Sequence, residues 1–410
     1  MGDPEVNSEE AEPGRFEFSF PLLTVRTKVF SGVFDKLGSF RFSRVLSWVA
    51  LVIVPVVAAI GLYFLCSSLF TLLWTSTARD ITRDLGLASY LLIPGINPLL
   101  PILYGWLAIV CAIVIHEGAH GVVARNRGLK VNSSGLLFFL VIPIGAFVDV
   151  DEEELTKTKP RDSLPVMAAG VGANAVVAVA CILALILLVN GLTPVIDGVI
   201  VSDVAQGMPA DVSGVLPNDI FVSIDGIPIQ NYTVLSNMFE NKTPGEIVQV
   251  TVARGKNWDQ LFFTSINLTE SDDGRAIMGV TLGDLLTAKR LSLYQNLSLD
   301  TFTLYLVPPA LAPTLVPFSD TLIPFYTHPL GSQWHVFANV FYWLWFVNVN
   351  LAIFNALPIY PMDGGRIFDI TLKKLLGQKI SEKSLQNMTR AVTAAVVTVL
   401  LAIAIIPFIY

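Results

Sequence analysis

"PILYGWLAIVCAIVIHEGAHGVVA", residues 101–124, decides how this chain is read. The run is apolar almost throughout and long enough to cross the roughly 30 Å hydrocarbon core of a bilayer as a helix. Yet two of the four histidines of the chain, His116 and His120, fall in one helical turn of it together with Glu117. Ionisable groups are expensive at membrane depth, so a cluster there marks a functional site by default.

The rest of the chain agrees with a membrane reading. Of 410 residues 53% are hydrophobic and only 14% charged, which excludes an ordinary soluble domain. Five runs are long enough to span, at 46–74, 101–124, 163–190, 335–357 and 390–410. Shorter apolar stretches at 135–148 and 302–318 read as re-entrant or interfacial, the second being interrupted by four prolines. The fold class is therefore a polytopic α-helical membrane protein of about five to six spans. The net charge of -7 comes with no basic stripe, so nucleic acid is not an expected partner.

Lys and Arg in the short loops set an expected orientation. Arg26, Lys28, Lys36, Arg41 and Arg44 precede the first span and place the N-terminus in the cytoplasm. Arg125, Arg127 and Lys130 on one side of the 135–148 stretch, and Lys157, Lys159 and Arg161 on the other, put both its flanks on the cytoplasmic face. That stretch must then enter and leave on one side, as a re-entrant β-hairpin would. Lys373, Lys374, Lys379 and Lys383 follow the fourth span, so the same rule leaves the C-terminus outside.

Between the third and fourth spans hydropathy drops, and short β-rich runs separated by Gly, Pro and Asn mark a small α/β domain at 193–285, on the extracytoplasmic side. Its segment "PADVSGVLPNDIFVSIDG", residues 209–226, resembles a PDZ domain of the circularly permuted kind found in membrane and periplasmic proteases. Such domains take an extended peptide beside a sheet edge.

His116 and His120 are four residues apart, which on a helix leaves them about 40° apart in azimuth and one turn apart in height. Two imidazoles so placed can share one ion, and Glu117 beside them can move a proton to and from water, as in HExxH metalloproteases. Zinc suits such a set when a third protein ligand completes it and the fourth position stays open. The candidate is Asp363 in "NALPIYPMDGGR", residues 355–366, where two prolines and two glycines break the helix just past the cytoplasmic end of the fourth span. That depth matches the cluster at 116–120. His328 and His335 lack a neighbouring acid or Cys to complete a ligand set.

These elements together resemble the site-2 protease family of intramembrane zinc metalloproteases, in its eukaryotic and archaeal-like branch with an inserted PDZ domain. "HEGAH" matches the HExxH of that family and "NALPIYPMDGG" its NxxPxxPxDG segment. "AAGVGANAVVA", residues 168–178, resembles its small-residue helix containing an Asn, without the proline that many members carry beside it, and "GLLFFLVIPIGAFVDVDEEEL", residues 135–155, its segment after HExxH.

The resemblance implies one catalytic Zn2+ held by His116, His120 and Asp363, Glu117 as general base and acid, and Asn174 as a substrate-binding residue. It also implies regulated intramembrane proteolysis of single-pass membrane proteins already trimmed by an earlier cut, within the lipid bilayer near its cytoplasmic face. The organisation that follows is a cytoplasmic segment at 1–45, a first transmembrane helix at 46–74, a catalytic core at 101–190 and 335–370 interrupted by the PDZ-like insert at 193–285, and a last transmembrane helix at 390–410. The competing reading is a catalytically inactive membrane PDZ scaffold or chaperone, which would be favoured by a missing ligand or base, and none is missing. A metal transporter would show inverted repeats, and the two halves of the chain have no such symmetry.

Overall fold

A computed structural model describes residues 16–27, 30–140, 142–151, 154–155, 158–196, 198–255, 258–285 and 287–409. They divide into two compact units, one formed by residues up to 183 and from 340 onward, the other by Ala184–Asn339.

Among the described residues the α-helices of eight or more residues are, in chain order, α1 (Ser31–Ser39), α2 (Arg41–Trp74), α3 (Ser76–Leu85), α4 (Ile102–Asn126), α5 (Pro160–Asn190), α6 (Tyr232–Phe239), α7 (Thr287–Gln295), α8 (Trp334–Ala356), α9 (Asp363–Leu376) and α10 (Glu382–Ile409). The first unit carries the long helices α2, α4 and α10 and most of two others, α5 and α8. Among the described residues these five are the helices long and apolar enough to cross a membrane. Each coincides with an expected span, but α10 starts eight residues before the apolar run at 390. Its first two turns carry charged and polar residues that a hydropathy window discounts.

The outward faces of these helices are as apolar as their packed faces. Val52 and Tyr63 are each 68% exposed and Leu103 is 77% exposed, a distribution stable in lipid and costly in water. Inside, α2, α5 and α8 meet through small residues, with Ala50, Val54, Ala168, Val171, Ala352 and Ala356 forming one buried cluster. Small side chains let helix backbones approach closely, which is how helices associate where water supplies no driving force.

The hairpin at 135–148 is present and is part of something larger. Strands β3 (Val131–Phe139) and β4 (Ile142–Val150) pair antiparallel, and two N-terminal strands, β1 (Phe16–Ser19) and β2 (Leu22–Thr27), add to the β3 side. The sheet order is β1-β2-β3-β4, so among the described residues no strand pairs with the outer edge of β4. The N-terminal strands were legible in principle: Phe16, Phe18 and Phe20 alternate with polar residues ahead of a proline turn.

The second unit contains a six-stranded antiparallel sheet. Its long strands are β5 (Val199–Val204), β6 (Ile220–Ile224), β7 (Ile247–Arg254), β8 (Gln260–Asn267) and β9 (Val280–Asp284), ordered β8-β7-β6-β5-β9. A two-residue strand, Ile227–Pro228, folds back on β6 through Asp225 and Gly226, both at positive φ (50° and 75°), as a tight primed turn requires. Val199, Phe221, Ile224, Val248, Val252 and Ile266 are fully buried in its core. Asp219, only 1% exposed, is bound by Arg254 at 2.7 and 2.5 Å, and that guanidinium stacks over Phe262. A buried carboxylate is tolerated when so paired, which explains an Asp in the middle of the 209–226 segment.

Candidate metal centre

Three of the expected site residues converge in the first unit. His116 and His120 lie on consecutive turns of α4, with ring centroids 4.9 Å apart. Asp363 is the first residue of α9, and its Oδ2 is 3.1 Å from His116 Nε2 and 3.3 Å from His120 Nε2. Among the described residues this is the one group of three or more His, Cys, Asp or Glu side chains close enough to share an ion. His328 and His335 belong to the other unit, where His328 Nδ1 accepts from the Leu330 N–H at 2.9 Å.

The donor set fits zinc. Ligand bonds of about 2.0–2.2 Å at tetrahedral angles put neighbouring donors about 3.3 Å apart, close to the two separations found here. Asp363 Oδ2 is buried and accepts no hydrogen bond, so its lone pairs are unused within the chain. Nitrogen and oxygen donors without thiolate also suit a catalytic rather than a closed structural site.

One face of α5 is fitted to the two histidines turn by turn. Val166 carbonyl oxygen is 2.7 Å from His120 Nδ1; a carbonyl only accepts, so Nδ1 carries the proton and Nε2 keeps its lone pair for an ion. Four residues on, Gly170 stands over the pair: a Cβ there would lie 2.5 Å from both His116 Nε2 and His120 Nε2. Four further on, Asn174 has its amide against His116 Nδ1 at 3.3 Å and is completely buried. The spacing i, i+4, i+8 keeps all three on one helix face. Gly170 was missed in the sequence because glycine in a small-residue helix reads as packing.

Glu117 points to the sheet. Its Oε2 accepts a hydrogen bond from the Val148 N–H of β4 at 3.3 Å, so the carboxylate is tied to the outer edge of that strand. The irregular segment before Asp363 is held by α10, where Thr393 Oγ1 accepts from the Tyr360 N–H at 3.0 Å. The two glycines after Asp363 permit contact with the end of α8: a Cβ on Gly364 would collide with the carbonyl of Ala356, and one on Gly365 with the Ile359–Tyr360 peptide.

A membrane core of five apolar helices and a His-His-Asp cluster beside a glutamate are the features of a membrane metalloprotease. Residues 104–400 match the profile of Peptidase family M50, and the chain belongs to that family, the site-2 protease type of zinc metalloprotease. It is 22% identical to an uncharacterized protein of Methanocaldococcus jannaschii over 345 residues, covering 84% of this chain and 76% of that one. It is 27% identical to a probable chloroplastic membrane metalloprotease of Arabidopsis thaliana (65% of this chain, 70% of that one). It is 23% identical to a putative zinc metalloprotease of Nostoc (66% and 85%). Among solved structures, the PDZ domain of an SdrC-like protein of Listeria monocytogenes is 27% identical, covering 22% of this chain and 93% of that one with a TM-score of 0.20. The insert is described by its own sheet rather than by that likeness.

Proposed function

We propose that the protein is an intramembrane endoprotease in which one zinc ion is held by His116, His120 and Asp363, and Glu117 moves the proton. The observation that carries this reading is the convergence of three donor atoms, His116 Nε2, His120 Nε2 and Asp363 Oδ2, at ligand-to-ligand distances. Zinc, when bound, supplies Lewis acidity that polarises a carbonyl and acidifies water. Glu117 takes the proton of the attacking water and delivers it to the departing amide nitrogen, which leaves as an amine while the carbonyl carbon becomes a carboxylic acid. The hydrogen bond from Val148 keeps the carboxylate turned toward β4.

The substrates are the transmembrane segments of single-pass proteins already trimmed by an earlier cut, as in regulated intramembrane proteolysis. A peptide bond inside a helix is screened by its own backbone, so the segment must be extended before attack. The outer edge of β4 offers backbone groups for it to pair with, and that edge is the one bonded to Glu117. The distribution of Lys and Arg supports a cytoplasmic N-terminus, an extracytoplasmic PDZ-like domain and a cut near the cytoplasmic face. His116 lies ten residues from the end of α4, roughly 15 Å along its axis, which supports a site within the bilayer.

The test is reconstitution of the purified protein in lipid vesicles with a single-pass substrate. Cleavage inside the membrane segment, abolished by chelation and restored by zinc, is expected. Cleavage indifferent to chelation, or confined to the region outside the bilayer, would reject the reading.

A further inference from the structure

Around the two histidines one buried atom remains unexplained. Asn174 has no exposed surface, its Oδ1 makes no hydrogen bond, and its Nδ2 faces His116 Nδ1 at 3.3 Å. An amide nitrogen only donates. In that orientation His116 must present its Nδ1 lone pair to Asn174, and its proton then sits on Nε2, the atom that faces Asp363 Oδ2. Such a ring has no lone pair left for an ion. A half-turn of the amide exchanges two groups of nearly equal size and removes both faults at once. Oδ1 gains the Nδ1–H of His116, and Nε2 is freed.

We infer that Asn174 is a positioning residue whose Oδ1 accepts the His116 Nδ1 proton and so fixes the tautomer and tilt of the ring. This rests on the reading of His116 as a zinc ligand. The same helix face already does this for the other ring, where the Val166 carbonyl holds His120 Nδ1 at 2.7 Å. Val166 and Asn174 stand eight residues apart on α5, while His120 and His116 stand four apart on α4, so the two helices present one acceptor to each ring. The sequence suggests a substrate contact for Asn174. Its complete burial beneath the ring favours the positioning role instead.

The test is a zinc titration of the full-length, metal-stripped protein in detergent against a competing chelator, with the circular dichroism of each variant compared with wild type. Removing such a partner typically weakens metal binding 10–100-fold, and that loss is expected for Asn174→Leu. Asn174→Asp keeps the acceptor oxygen and discards the NH2, and is expected to bind zinc at least as tightly as wild type. Wild-type affinity in Asn174→Leu, with a raised KM for substrate, would make it a substrate contact and overturn the inference. Loss of zinc by a folded Asn174→Asp would overturn it equally, by showing that the NH2 is the working group; this variant decides if the leucine form does not fold. His116→Ala separates the two levels: wild-type zinc binding there would reject the metal site itself.

Discussion

Gly170 and His116 are in direct apposition: the hydrogen where a Cβ would grow points at the ring, 2.5 Å from Nε2 once the carbon is built, and at the same distance from His120 Nε2. The backbone cannot retreat easily, because Gly172 on the same helix is packed against Ala50. Gly170→Ala is therefore expected to place a methyl group where both rings converge. Zinc affinity should fall at least about tenfold, or ~1.4 kcal/mol, with helix content unchanged. Metal analysis after dialysis checks this, and full zinc occupancy in the alanine variant would refute it.

Gly364 serves a different contact. An alanine there has to displace the carbonyl end of α8, and Asp363 is the adjoining residue. Gly364→Ala should cost about 1–3 kcal/mol of stability, the usual penalty of overpacking, and should also reduce zinc content. Thermal unfolding with and without zinc measures both effects. A variant as stable as wild type would mean that the junction has room the structure does not show.

Thr393 is remote in sequence from every motif, yet it bonds the Tyr360 N–H at 3.0 Å in the segment leading to Asp363. Thr393→Val keeps the shape and removes the acceptor. It should lower stability by about 1 kcal/mol and reduce cleavage severalfold, whereas Thr393→Ser should retain activity. Equal loss in both variants would show that the methyl packing, not the hydroxyl, is what matters.

The outer edge of β4 gives a fourth prediction. Val148 turns its N–H away from β3 toward Glu117, so Ala146, two residues earlier, presents its N–H along the same edge. Proline is tolerated at an edge because no bond within the sheet is lost. Ala146→Pro should leave zinc binding intact and depress kcat/KM for a membrane substrate by tenfold or so, about 1.4 kcal/mol. Undiminished cleavage with normal crosslinking of substrate would eliminate strand addition at β4.

Much of this candidate site is legible in the sequence because the residues that converge there are rare in an apolar background. His116, Glu117 and His120 stand out where almost every neighbour is Leu, Ile, Val or Ala, and Asp363 follows two prolines that interrupt the helical run before α9 begins. The spans are legible for the same reason, since about 20 apolar residues have few other uses. What escapes is whatever depends on a distant partner or on backbone. The carbonyl of Val166 has no side-chain signature. Gly170 matters only because two rings approach it from α4. Thr393 looks like any hydroxyl in a membrane helix. The pairing of β2 with β3 joins residues more than a hundred positions apart, and the alternation of Phe16, Phe18 and Phe20 announces a strand without naming its neighbour.

The central claim is that Glu117 moves the proton at a zinc ion held by its neighbours, and Glu117→Gln tests it most directly. The amide keeps the size of the carboxylate but cannot take a proton from water. Cleavage of a single-pass substrate in vesicles, measured beside bound zinc in the same preparation, should be lost by a factor of a hundred or more, about 2.7 kcal/mol, while zinc remains at one ion per chain. Processing at the wild-type rate, or loss of activity only in step with loss of zinc, would contradict it.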